Sequence, residues 1–275
     1  MVCGAGGAAG DADALPRLHL NSTGFMNALD QDARRAPTGE SRNAGDLTDW
    51  EIALEGSFQR YMTESQRDVM KLAVARAKAP GLLLDFGCGP GRWTRFMMDH
   101  GWDAVCIDID ASSLARCQRT NPTAKCIHST TDLRRLPLGD GEVDLVLCIG
   151  VYRVLESDWF LPEVRRVLKP GGQFSGAFFN RLSGRGMYRH IMDRMFGGQN
   201  AYQQSYGSWR RRVRGEGFEF INERGYCWFP LPCFSNSPLV PFFTGLEKAC
   251  GLQRLPRLSP WVTFLAEFRG RGIGA

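Results

Sequence analysis

The chain has 275 residues, 43% of them hydrophobic, which is enough to bury one large core and excludes disorder for the bulk of it. Its net charge of +5 is too small to imply nucleic acid without a localised basic patch, and no run approaches the roughly 18 apolar residues that a membrane span requires. Nine cysteines form no CxxC pair and four histidines form no pair at ligand spacing, a pattern expected of reduced core thiols in a cytoplasmic protein with neither a disulfide framework nor a metal.

Residues 1–45 are rich in Gly, Ala, Asp, Asn and Thr without periodicity, and are expected to form a disordered leader that lacks a secretory h-region. A single domain over 46–272 follows. Its first part, 46–80, is predicted to be one or two helices, with Val69, Leu72, Ala73 and Arg76 on one face and Pro80-Gly81 as the stop. From Gly81 short apolar runs alternate with amphipathic segments: strands at 82–86, 103–109, 124–128, 143–149 and 172–179, and helices near 91–100, 111–119 and 158–168. After a Gly-, Arg-, Tyr- and Met-rich stretch, FEFINERGYCWF reads as a strand, PLVPFFTGLEKACG as a helix and WVTFLAEFRG as a last strand. The pattern predicts an α/β fold, a doubly wound seven-stranded, mostly parallel sheet. Its core is 81–180, its insertion after the fifth strand is a lid over 181–215, and its C-terminal strands and helix occupy 216–272.

The first strand runs into DFGCGPGRW, where Gly87, Gly89 and Gly91 can take positive φ and let a ligand touch the backbone. A tight turn with no ligand is the plain alternative. The spacing GxGxG differs from the GxGxxG of a dinucleotide turn, and Asp85 ahead of it suits a cation better than a phosphate. S-adenosylmethionine carries an ammonium and a sulfonium and no phosphate. Asp108, seventeen positions beyond Gly91 at the end of the second strand, can take both ribose hydroxyls, a feature that dinucleotides and adenosylmethionine share. Asp110 reads as the N-cap of the helix beginning ASSLARC.

Four blocks in order, LLLDFGCGPGRW, the acid of VCIDID, TTDLRRLPLGDGEVDLVLCIGV and LPEVRRVLKPGGQF, resemble the class I S-adenosylmethionine-dependent methyltransferases, whose sheet is Rossmann-like. The resemblance covers about residues 82–175. It implies that Gly87, Gly89 and Gly91, with Cys88, contact the methionine part, that Asp85 helps hold its ammonium, and that Asp108 and Ile109 lie at the ribose. It implies further that Asp132 accepts from the adenine amine, that Leu133 offers its N–H and an apolar edge, and that Cys148, Ile149 and Gly150 line the sulfonium side. The chain departs from the family at Cys106 and Thr131, where Gly is frequent, and it lacks an Asn-Pro-Pro-aromatic motif after the fourth strand. Pro232-Cys233 lies too late for the nucleophile of the cytosine-C5 enzymes.

On the acceptor side the candidates are Tyr152 and, as base, His190 of GMYRHIMDRMF, against the plainer reading of a solvated helical histidine. Arg153, Glu156, Asn180, Tyr188 and Tyr61 are further possibilities. The stretch CWFPLPCFSNSPLVPFF suits an apolar acceptor such as a lipid, quinone, polyketide or glycolipid, or simply packs. The expected activity is methyl transfer to a small or medium-sized acceptor, at hydroxyl oxygen in preference to carbon. Two alternatives are an RNA methyltransferase using the basic run at 210–214 with Tyr202, Tyr206 and Trp209, and a non-catalytic adenosylmethionine-binding partner.

Overall fold

The computed structural model describes residues 56–196, 203–229 and 237–270, all within the compact unit Glu40–Ala275. The expected leader, Trp50, Tyr202 and Pro232-Cys233 lie outside the described residues.

Seven strands form one sheet in the order β3-β2-β1-β4-β5-β7-β6. They are β1 (Leu82–Phe86), β2 (Asp103–Asp108), β3 (Lys125–His128), β4 (Val143–Cys148), β5 (Leu168–Phe179), β6 (Phe218–Tyr226) and β7 (Trp261–Phe268). The first five pair in parallel, whereas β7 runs antiparallel to both β5 and β6. The chain order reverses between β1 and β4, and the carboxyl ends of the strands flanking that reversal are where such sheets take ligands.

Eight helices are described: α1 (Ser57–Arg76), α2 (Arg92–Met98), α3 (Ala111–Thr120), α4 (Tyr152–Glu156), α5 (Phe160–Val167), α6 (Gly184–Phe196), α7 (Tyr206–Gly215) and α8 (Leu239–Ala249). Both sheet faces are covered, so the strands read as continuous apolar runs whose alternate residues enter opposite cores. On one face Leu83, Cys106, Leu145 and Leu147 pack with Val69, Met70 and Ala73 of α1, Trp93 and Met97 of α2, and Leu114 and Cys117 of α3. On the other, Leu84, Val146, Phe174 and Phe178 pack with Phe160, Leu161, Val164 and Val167 of α5 and with Tyr206, Trp209 and Val213 of α7.

The fifth strand starts earlier than its sequence suggests. Leu168 pairs with Val143 and the next paired residue is Gln173 opposite Leu145, so Lys169–Gly172 bulge out of the ladder inside the strand instead of ending a helix before it.

Residues 181–215, expected as one lid over the strand ends, divide in two. The first half gives α6, which exposes Met187, Tyr188, Ile191 and Met195. The second half is core, a correction to the sequence reading. In YGSWRRRVRG the buried Tyr206, Trp209 and Val213 recur at helical spacing, and the arginines between them obscure that stripe. The indole of Trp209 stacks on Phe178 at 4.7 Å and donates to the Leu155 carbonyl at 2.9 Å. Arg210 forms a two-pronged pair with Glu223 at 2.6 and 2.7 Å, and Arg212 donates to the carbonyls of Glu156 and Ser157 at 3.0 Å. Tyr206 and Trp209 are fully buried and offer no face on which a base could stack, so these two residues do not serve the RNA reading.

A third, smaller cluster joins α1 to the late elements: Phe58 and Tyr61 pack with Tyr226, Cys227, Val240 and Trp261. The Tyr61 hydroxyl donates to Glu247 at 2.5 Å and accepts from the Cys227 N–H at 3.0 Å, and burial pushes its ionisation far above the ordinary tyrosine range. Tyr61 is a structural residue. Among the described residues no helix is long and apolar enough to cross a membrane.

Candidate cofactor site

The turn after β1 is held from below by β2. The N–H groups of Gly87 and Cys88 donate to the Ile107 carbonyl at 2.7 and 3.2 Å, and the Gly91 N–H donates to the Cys88 carbonyl at 3.0 Å. Gly87, Gly89 and Gly91 all have positive φ, at +74°, +53° and +85°. Two of them carry distinct requirements. A Cβ on Gly87 would collide with the Val151 side chain, so glycine lets the turn close against the segment leaving β4. A Cβ on Gly89 would meet nothing within 4 Å and would project into open space, as would one on Gly150, where φ is +84°. Open space bounded by bare backbone is what a ligand lying across the strand ends requires.

Asp108 is joined directly to this turn. Its Oδ2 accepts from the Gly89 N–H at 2.7 Å and its Oδ1 from the Asp110 N–H at 2.8 Å, leaving a second lone pair on each oxygen for a ligand. Burial raises the pKa of this carboxyl, and the two backbone donors oppose the shift. Ile109 beside it is 59% exposed, an apolar wall among the described residues. Asp110 caps α3, accepting from the N–H groups of Ser112 and Ser113 as its position in the sequence implies.

The remaining expected residues fall into three groups. Cys148 is fully buried at the end of β4, followed by half-buried Ile149 and exposed Gly150, so this strand end faces the glycine turn across the Gly87–Val151 contact. Asp132 is exposed and Leu133 half-buried in the loop after β3, beside the β2 end that carries Asp108; a hydrogen bond from Thr130 holds the Asp132 carboxyl below its usual range. Asp85, Cys88 and Asn180 lie deeper. The Asp85 carboxylate is 4% exposed and accepts from the Thr94 hydroxyl at 2.6 Å, and burial lifts its pKa to about 7. It ties β1 to α2 beneath the turn, and as a buried, half-ionised acid it would favour a nearby cation. Cys88 is 8% exposed, pointing into the core below the glycines. Asn180 is fully buried, donating to the carbonyls of Arg257 and Ser259 and accepting from the Leu182 and Tyr206 N–H groups, which makes it a structural clamp.

The acceptor candidates are not gathered at the turn. Tyr152 opens α4, and its side chain lies outside the described residues. His190 is exposed on α6. Glu156 is buried, accepts from the Gln204 N–H at 3.0 Å and has a pKa raised to about 7 by burial, tying α4 to the segment that enters α7. His128 ends β3 with Nε2 3.1 Å from the Ile109 carbonyl, on the ribose side.

A bare glycine turn at the head of β1, an acid at the head of β2 and the reversal of strand order beside them make this edge of the Rossmann-like, seven-stranded sheet the candidate cofactor site. Residues 84–175 match the methyltransferase domain family. Residues 84–175 are thus similar to a methyltransferase domain, and the sheet has the fold seen in S-adenosylmethionine-dependent methyltransferases. Among similar proteins, an uncharacterized methyltransferase-like protein of Schizosaccharomyces pombe is 27% identical over 151 residues, 54% of this chain and 57% of that one. The malonyl-[acyl-carrier protein] O-methyltransferase of Geobacter sulfurreducens is 33% identical over 116 residues, 40% of this chain and 43% of the relative. The chain thus spans about half the length of the curated relatives it matches. A crystal structure of an S-adenosylmethionine-dependent methyltransferase from Mesorhizobium loti superposes with a TM-score of 0.52 at 17% identity, over 74% of this chain and 97% of that one, a likeness of fold.

Proposed function

We propose that the protein transfers the methyl group of S-adenosylmethionine to an oxygen atom of a small or medium-sized acceptor with apolar character. The observation that carries the cofactor half is the Gly89–Asp108 pair. A backbone with φ +53° facing open space is locked to a carboxylate with free lone pairs at the rim of β2. The residues present fit the cofactor. Asp108 would take the ribose hydroxyls, Ile109 and Leu133 would flank the adenine with Asp132 at its amine, and the turn from Gly87 to Gly91, with Cys148–Gly150 opposite, would enclose the methionine part.

S-adenosylmethionine supplies a methyl carbon made electrophilic by the sulfonium, and transfer is an in-line displacement. The protein's own part is alignment and exclusion of water. The glycine turn and the β4 end would hold the donor from two sides, and Asp85, whose pKa burial raises to about 7, would ionise below it as the cofactor's positive charge approaches. An acceptor oxygen that is already anionic, such as a carboxylate, needs no base, in keeping with the placement of His190 and Glu156 on separate helices.

Oxygen as acceptor atom is supported by the relatives named malonyl-[acyl-carrier protein] O-methyltransferase, which match 29–33% over about two-fifths of this chain. Apolar character is supported by the exposed Leu182, Met187, Tyr188, Ile191 and Met195 after β5, the strand whose carboxyl end adjoins that of β4. The test is incubation with isotopically labelled S-adenosylmethionine and matched acyl carboxylates, alcohols and phenols, with mass spectrometry of the products. Label in a methyl ester or ether is expected; label only in N-methyl or C-methyl products when matched amines and carbon acids are added to the mixture would overturn the assignment to oxygen.

A further inference from the structure

Cysteines that are scattered in the sequence meet beneath the glycine turn. Cys88 comes from the turn, Cys106 from β2 and Cys117 from α3. All three are buried and free, and their Sγ atoms lie within 4.8 Å of one another. Cys126 of β3 sits directly opposite Cys106 in the parallel β2–β3 register and is only partly buried, on the side from which solvent can enter. The surroundings suit thiolates. The Asn121 side-chain amide, 1% exposed, has Nδ2 3.7 Å from the Cys117 Sγ and can donate to it. Gly91 leaves the room, since a Cβ there would come within 2.6 Å of the Cys117 Sγ.

We propose that Cys88, Cys106 and Cys117, with Cys126 closing the set, form a binding site for one thiophilic divalent cation of the zinc type, directly below the cofactor turn. Sequence spacing gives no hint of it, because the ligands come from four different elements and no two are within four residues of each other. Soft thiolate donors select such ions, and three or four of them complete a tetrahedral shell. Zinc–sulfur bonds of about 2.3 Å place tetrahedral sulfurs roughly 3.8 Å apart, so the present cluster needs to draw in by about 1 Å or less. Each coordinating thiol gives its proton to solvent and no electron is transferred. The bound ion would pin Cys88, and with it the backbone between Gly87 and Gly89. The site goes beyond the proposed methyl transfer and does not depend on it.

The test uses the reduced full chain with Cys3, Cys233 and Cys250 replaced by serine, titrated with Cd(II) and followed by the ultraviolet thiolate-to-cadmium absorption. One equivalent of Cd(II) is expected to saturate the band, and adding Cys106→Ser and Cys117→Ser is expected to abolish most of it and weaken binding at least tenfold. No band in the background protein, or the same band after both substitutions, would overturn the site. A measurement on the unsubstituted chain guards against loss of folding in the variants: X-ray absorption of the zinc-loaded protein is expected to show three or four sulfur neighbours, and a shell of nitrogen and oxygen alone would contradict the proposal.

Discussion

The two halves of the sheet are built by different means. In the half β3-β2-β1-β4 the connections that form the site are short, and its shape is set by local rules: positive-φ glycines, an N-capping aspartate and a carboxylate reaching 19 residues back to a backbone N–H. In the half β5-β7-β6 the order of the chain is interrupted by α6, α7 and α8, and the structure is held by contacts between distant residues. Trp209 stacks on Phe178 and packs at a tilt against Phe264, with centroids 4.7 and 4.8 Å apart, and Ser175 donates to the Phe264 carbonyl across 89 residues of chain. In the proposed function the first half presents fixed backbone to a cofactor. The second half presents side chains, and its outward faces on α6 and α8 expose Met195, Tyr188 and Phe242 at 67%, 61% and 65%. A common cofactor and a particular acceptor call for that division.

The contrast is broken most forcefully at Trp209. Trp209→Ala removes the ring that packs on Phe178 and Phe264 and the bond to Leu155, and is expected to cost about 3–5 kcal/mol in denaturant unfolding while leaving one cofactor site per chain. Loss of cofactor binding in a variant that remains folded would show that the halves are not separable.

The next effect is set by pH. Asp85 has its pKa raised from 3.8 to about 7 by burial, so the folded protein holds a proton that the unfolded chain has released between those values. Its contribution is fully present below about pH 3.8 and is lost as pH rises through 7, an upper limit of about 4 kcal/mol at 1.36 kcal/mol per unit. Glu156, raised from 4.5 to about 7, acts in the same direction. Stability measured by denaturant is therefore expected to fall from pH 5 to pH 8 in the ligand-free protein, and Asp85→Asn is expected to flatten the curve. If the cofactor ammonium is held by Asp85, adenosylhomocysteine affinity instead rises with pH up to about 7, by up to tenfold per unit. A stability that rises over this range would contradict the buried, protonated Asp85.

Gly89→Ala sharpens the other side of the comparison. A side chain at φ +53° costs about 1–2 kcal/mol in stability, and its methyl group enters the open space beside Asp108. Calorimetry is expected to show cofactor affinity reduced at least tenfold. The smallest effect is expected at the exposed face: Tyr188→Ser or Phe242→Ser should change stability by no more than about 0.5 kcal/mol, while raising the KM of an apolar acceptor several-fold.

The same division explains what could be read from the sequence. The first four strands lie within one residue of their expected ends, because each buried run is punctuated by turn residues, and the glycine turn with Asp108 stands where its spacing implies. Three features were hidden. The buried stripe of α7 is masked by four arginines, of which Arg210 pairs with Glu223 and Arg212 with the carbonyls of Glu156 and Ser157, all distant in sequence. The bulge at Lys169–Gly172 looks locally like a helix stop, and only its pairing across to β4 shows that the strand has begun. The convergence of Cys88, Cys106 and Cys117 depends on strand register and helix docking, which no short window of sequence contains. The acceptor side stayed unreadable because exposed side chains such as His190 follow no local rule.

The central claim is that the Gly89–Asp108 rim takes S-adenosylmethionine. It is tested most directly by calorimetry of S-adenosylmethionine, adenosylhomocysteine and NAD against the wild type and Asp108→Ala. The account predicts that both adenosyl ligands bind the wild type at one per chain, that each loses about ten- to a hundredfold in Asp108→Ala through the missing charge-assisted hydrogen bonds, and that NAD gives no heat. Tight NAD binding with no response to S-adenosylmethionine, or equal affinity in Asp108→Ala, would contradict it.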